Sequence, residues 1–150
     1  MIFDCFKKHK GKETFKTPKV EMVKRGLTDI ELSIFSEVNR HREGMKLRSL
    51  ISNLHLSNVA YHHNQFMIRK GNATHEGFPV RLAQTKELCQ NEWMGEVLAK
   101  GYATPKGVLK GWLKSKSHKY IVESEMPVFF GCSAIYDKKG KMYVTLLFID

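Results

Sequence analysis

Apolar side chains recur along this chain first with the period of a helix and, near its end, with the density of buried strands. Between Asp29 and Arg42, Ile30, Ile34, Phe35 and Val38 repeat at the spacing of one helix face. Thr28 precedes them with Glu31 three positions on, the form of a capping box in which hydroxyl and carboxylate each satisfy an orphan amide. Gly44 follows as a stop, so a first helix is predicted over Asp29–Arg42. From about Leu50 to Lys70 a second stripe runs through Leu56, Val59, Ala60, Phe66 and Met67, and Gly71-Asn72 supplies a left-handed end. His63 falls inside that stripe and His62 toward its polar side. An imidazole on an apolar face is more often a hydrogen-bonded core group than a ligand.

Thr104-Pro105 opens another helix, because the threonine can cap and the proline sits where no amide donor is needed. Val108, Leu109 and Trp112 give its buried face, while Lys106, Lys110 and Lys114 form a row along the other side. Ser117 is placed to cap a further short helix beginning at His118. The closing segments VFFGCSAIYD and KMYVTLLFID, joined by a short turn containing glycine, predict a β-hairpin. Both runs are apolar on both faces, so each side of the sheet needs a cover. Trp93–Leu98 is a candidate third strand. Helices ahead of a hairpin with two buried faces predict an α/β (α+β) chain built as a three-layer α-β-α sandwich around a central antiparallel sheet.

A length of 150 residues, 42% of them hydrophobic, fits one domain and leaves no room for a second. Residues 27–150 hold the periodic elements. Residues 1–26 carry Lys7, Lys8, Lys10, Lys12, Lys16, Lys19, Lys24 and Arg25 without sustained periodicity and read as a basic arm, with Ile2, Phe3 and Phe6 as a weak candidate membrane-surface anchor. No apolar run approaches the ~18–20 residues that cross a bilayer. The opening MIFDCFKKHK reverses the order of a secretory signal, which implies either an intracellular chain or one whose export segment has been removed. Cys5, Cys89 and Cys132 cannot all pair within one chain and none belongs to a CxxC, which indicates a disulfide-poor protein with Cys132 as a small core residue. The excess of 25 Lys+Arg over 15 Asp+Glu, a net +10, biases the chain toward anionic partners such as cell-wall polymers, anionic lipid or nucleic acid. The aromatic interleaving that single-strand binders use is missing from the lysine row, whose neighbour Trp112 faces inward.

The candidate chemistry lies between His75 and His118, with Glu96 near the midpoint. Two neutral imidazoles and a carboxylate suffice to hold Zn²⁺ with a fourth position left to water or ligand. Their intervals are those of whole elements, so only a fold can unite them.

Several segments, in order, resemble the CAP superfamily of cysteine-rich secretory, antigen 5 and pathogenesis-related proteins, and most closely its small bacterial members. EVNRHREGMKLRSL is similar to the family's opening helix through Asn39 and Arg42. AYHHNQFM resembles its second helix through Ala60, His63 and Met67. THEGFPVR resembles the stretch with the first cavity histidine, His75, and a following arginine, Arg81. MGEVLA stands where the family has "GEN", with Glu96 as the cavity glutamate, and VLKGWLKSKSHKYIV places Trp112, Ser115 and His118 in register. Gly131, Tyr143 and Phe148 match the last two strands.

The resemblance implies a cleft lined by His75, Glu96 and His118, with His63, Arg81 and Ser115 nearby, able to hold a divalent metal such as zinc or a small, lipid-like ligand. It implies a secreted or cell-surface setting and no agreed catalysis. Val97 replaces the family asparagine, and Ser115 stands where many eukaryotic members carry a second glutamate. The first functional class is therefore a binding protein. A second is a metal-dependent hydrolase or peptidase with Glu96 as base, and a third is a basic binder of anionic polymers or nucleic acid.

Overall fold

The computed structural model describes residues 17–22 and 26–150. The Cys5 thiol, the candidate anchor Ile2, Phe3 and Phe6, and the arm's basic side chains other than Lys19 lie outside the described residues. The elements run α1 (Asp29–Gly44), β1 (Ile51–Ser52), α2 (Leu54–Lys70), α3 (Phe78–Cys89), β2 (Met94–Lys100), α4 (Pro105–Lys114), α5 (Lys116–Val122), β3 (Phe129–Tyr136) and β4 (Met142–Ile149).

The sheet order is β1-β3-β4-β2. Its three long strands are antiparallel, as the sequence predicts, and the two-residue β1 adds a parallel rung through Ile51↔Phe129 and Ser52↔Phe130. Because strand side chains alternate between faces, the fully buried β4 feeds two cores at once. Met142, Val144, Leu146 and Phe148 join Ile34, Val38, Val108 and Trp112 from α1 and α4. On the other face Leu147 and Ile149 join Leu56, Val59 and Ala60 of α2. This two-sided burial is what the unbroken apolar runs signalled.

Local chemistry fixes the helix ends. Thr28 and Glu31 form the expected capping box. Asn53 caps α2, so that helix starts at Leu54 rather than near Leu50, and Gly71 ends it at φ 70°. Thr104 accepts a hydrogen bond from the Gly107 amide at 3.0 Å at the head of α4. The short helix expected to begin at His118 begins at Lys116, with Ser115 at its cap position and Ser117 inside it. Helix α3 leaves little trace in the hydrophobic pattern because its fully buried positions are the polar Arg81 and Thr85. Asn39 and Arg42 are structural. Asn39 exchanges hydrogen bonds with the Leu50 backbone, and the buried Arg42 donates to the carbonyls of Arg48, Val122 and Ser124.

The outer side of β3 is closed by side chains. The Cys132 amide donates to Ser57 Oγ of α2 at 3.1 Å, and the Ala134 amide donates to Glu31 Oε1 of α1 at 2.9 Å. One residue before Cys132 the α2 backbone sits directly on the strand. A Cβ on Gly131 would fall 2.3 Å from Leu56 Cβ and 2.4 Å from the Leu56 carbonyl carbon and the Ser57 nitrogen. Backbone on both sides leaves nothing flexible to yield, so Gly131→Ala is expected to lower stability by about 3 kcal/mol, the upper end of ordinary overpacking. A urea midpoint within experimental error of wild type would contradict that contact.

Candidate functional site

Strand β2 is an edge strand, and the two helical layers meet around it. Its alternation puts Val97 and Ala99 in the core under α1 and α4, and Met94 in the core under α2. Glu96 shares the Met94 side, toward α2 and α3. Gly95, on the opposite side, allows α5 to approach. A Cβ there would lie 2.6 Å from Ile121 Cγ2 and 2.7 Å from Trp93 Cη2. The same helix carries His118, whose ring faces that of His75. The loop after α2 carries His75, and Gly77, at φ 77°, turns the chain into α3 so that Arg81 points back beneath that loop.

These placements assemble one network. The Glu96 carboxylate is 1% exposed and the Arg81 side chain 7%. Arg81 grips Glu96 with two charge-assisted bonds, Nε to Oε2 at 2.6 Å and Nη2 to Oε1 at 2.7 Å. It also donates to the carbonyls of Glu76 and His75, at 2.7 and 3.2 Å. His75 Nδ1 lies 2.8 Å from Glu96 Oε1. An ionised carboxylate can only accept, so Nδ1 donates in this bond and Nε2 is the nitrogen left for the cleft. The His75 side chain is 38% exposed, the wet end of an otherwise dry network. His118 faces it with ring centroids 6.5 Å apart and planes inclined by 47°. His63 lies deeper, with Nε2 2.8 Å from the Thr74 carbonyl and its ring stacked near Phe66.

Burial alone would raise the Glu96 pKa, but the hydrogen bonds from His75 and Arg81, with the Arg81 charge, outweigh it and hold the carboxyl below its usual range. Burial, and then the Arg81 charge, depress His63 to about 4. Burial, reinforced by His75, also lowers His118. His63 is thus neutral at physiological pH, and His118 is biased the same way.

His75, Glu96 and Arg81 are therefore joined in one hydrogen-bonded assembly, with His118 opposite and His63 tied to the Thr74 carbonyl of the same loop. The Ser115 hydroxyl pairs with Ser117 at 3.1 Å rather than with either imidazole, and His62 bonds the Glu21 carbonyl away from the network. Sequence reasoning did not find the carbonyls of Thr74, His75 and Glu76 that fix His63 and Arg81; the left-handed Gly77 was the available sign of a tight turn there. Among the described residues, no three His, Cys, Asp or Glu side chains converge closely enough to hold an ion. The donors left for an ion are the two imidazoles, since both Glu96 oxygens are engaged. Two nitrogen donors suit a borderline metal such as zinc, although open zinc centres usually supply three protein ligands, so the fit is to a weak, exchangeable site.

Solved structures share this fold. An extracellular protein containing an SCP domain from Bacillus anthracis str. Ames superimposes with a TM-score of 0.70 at 24% identity, over 83% of this chain and 44% of that one. A cysteine-rich secretory protein from Staphylococcus aureus subsp. aureus Mu50 gives 0.70 at 15% identity, over 95% of this chain and 42% of that one. The chain has the CAP (SCP) domain fold. An outer surface protein from Borrelia burgdorferi is similar over nearly its whole length, with a TM-score of 0.72 at 21% identity covering 82% of this chain and 96% of that one. The chain spans less than half of the Bacillus and Staphylococcus proteins. Its sequence matches no protein-family model and no curated protein. Among the described residues, no helix of this CAP fold is long and apolar enough to cross a membrane.

Two outcomes follow from the network. Arg81→Met strands a buried carboxylate and is expected to cost about 3–5 kcal/mol in urea unfolding, whereas a loss below 1 kcal/mol would mean that Glu96 does not depend on Arg81. The second concerns acid. Below pH 6.5 the unfolded chain protonates His63 while the fold resists until about 4, so stability falls across that window, by up to about 3 kcal/mol. The Glu96 contribution is present above its ordinary 4.5 and is lost as pH falls through its depressed value. Urea midpoints from pH 7 to 4.5 should fall less steeply in His63→Gln, leaving the smaller His118 contribution and the fall below pH 4.5 in place.

Proposed function

We propose that this chain is a CAP-fold binding protein whose cleft at the β2 edge takes a divalent transition-metal ion between His75 and His118. The observation that carries this reading is the locked His75 tautomer. Its Nδ1–H is held by a buried, ion-paired Glu96, and its other nitrogen is presented to solvent opposite a second imidazole. Carboxylate-to-histidine support of this kind orients metal-binding imidazoles and raises their basicity. In this arrangement Glu96 serves as the orienting group behind His75. Neutral imidazoles without a free carboxylate favour zinc, copper or nickel over calcium or magnesium. A small organic ligand with a polar head would meet the same two nitrogens.

A hydrolase using Glu96 as base is opposed by its bonding. Both oxygens are engaged, and a carboxylate held below its normal pKa is a poor proton acceptor. The exposed Lys106, Lys110 and Lys114 offer an anionic polymer a second contact on the outer side of α4. We place the protein outside the cytoplasm, a reading supported by neighbours described as extracellular, secretory and outer-surface proteins.

Zinc titration tests the cleft. Zn²⁺ is expected to raise the melting temperature and shift the imidazole NMR signals of His75 and His118, whereas Mg²⁺ does neither. His118→Ala should abolish the response, and Glu96→Gln should weaken affinity about 10–100-fold, as loss of an outer-shell partner typically does. An unchanged melting temperature together with undisturbed imidazole signals would remove the metal reading.

A further inference from the structure

Residues 17–22 lie across α2 and α3, held in a way that need not be restricted to this segment. Gln84 Nε2 of α3 donates to the Pro18 carbonyl at 3.0 Å, and His62 Nε2 of α2 lies 2.7 Å from the Glu21 carbonyl. Between these anchors, Val20 packs against the core cluster that includes Leu56, Val59 and Ala60, the cluster that Phe78 and Leu82 of α3 also pack against. The side chains of Pro18, Lys19, Glu21 and Met22 are exposed. Two helix side chains thus read main-chain carbonyls, which every residue possesses, and one apolar surface receives a single half-buried side chain. That is the logic of peptide recognition, in which backbone bonds give affinity and a pocket gives selectivity.

We infer that the α2–α3 groove is a docking site for a peptide segment with one β-branched apolar anchor, and that residues 17–22 occupy it in cis as a displaceable strap. An intramolecular occupant has a high effective concentration, so it masks the groove until it is released or outcompeted. The occupant's own chemistry defines the partner: a branched aliphatic residue flanked by a carbonyl two positions before it and one position after it. This inference is independent of any ion at His75 and His118.

The test uses the full chain. Val20→Ser removes the anchor from a segment that precedes α1, leaving the helices and sheet intact. A fluorescent peptide with the sequence of residues 17–22 is then titrated against wild type and variant and followed by anisotropy. The variant is expected to bind at least tenfold more tightly than wild type, and adding Gln84→Ala should weaken that binding several-fold. Equal binding to wild type and Val20→Ser, with the fold confirmed by circular dichroism, would overturn the inference. A wild-type dimer that Val20→Ser dissociates would also overturn it, by assigning the groove to exchange between two copies.

Discussion

A carboxylate almost completely removed from water stays ionised only when a fixed cation and hydrogen bonds replace its hydration. At Glu96 that replacement is Arg81, and most of the site depends on it. The guanidinium comes from α3, the carboxylate from β2, and the carbonyls that steady the guanidinium come from the loop carrying His75. One ion pair therefore ties a helix, an edge strand and a loop into a unit. It also determines which imidazole nitrogen reaches solvent. A buried pair of this kind is weak grounds for stability but a strong means of fixing geometry, because partial loss leaves an uncompensated charge in the interior.

The elements visible in the sequence are those whose signals are local. Thr28 and Glu31, Thr104 and Pro105, and the turn between β3 and β4 each carry their instruction within a few residues. The elements that were not visible depend on distant partners. Helix α3 turns Arg81 and Thr85 inward, so its buried face reads as polar until the carboxylate fifteen residues away is known. The two-residue β1 is too short for any period and exists because β3 offers it a rung. Ser117 has the residue type of a cap, yet the chain enters its helix at Lys116, a displacement that composition cannot resolve.

The same division holds at the site. Order along the chain, together with likeness to a family, was enough to bring His75, Glu96 and His118 to one edge of the sheet. It did not reveal that Arg81 and His75 would engage both Glu96 oxygens, which makes the carboxylate a support for the imidazole rather than a free group. The roles of the carboxylate and the arginine follow from distances, and distances belong to the fold.

The outer margin of β3 has a consequence for life at high local concentration. Its amides at Cys132 and Ala134 are already answered by a hydroxyl from α2 and a carboxylate from α1. A foreign strand approaching that border finds no row of vacant donors along which to zip. Sheet proteins left with an open border risk growing into aggregates through it. Here two helices act as gatekeepers, so neighbouring molecules can crowd against this border without being recruited through it into a shared sheet.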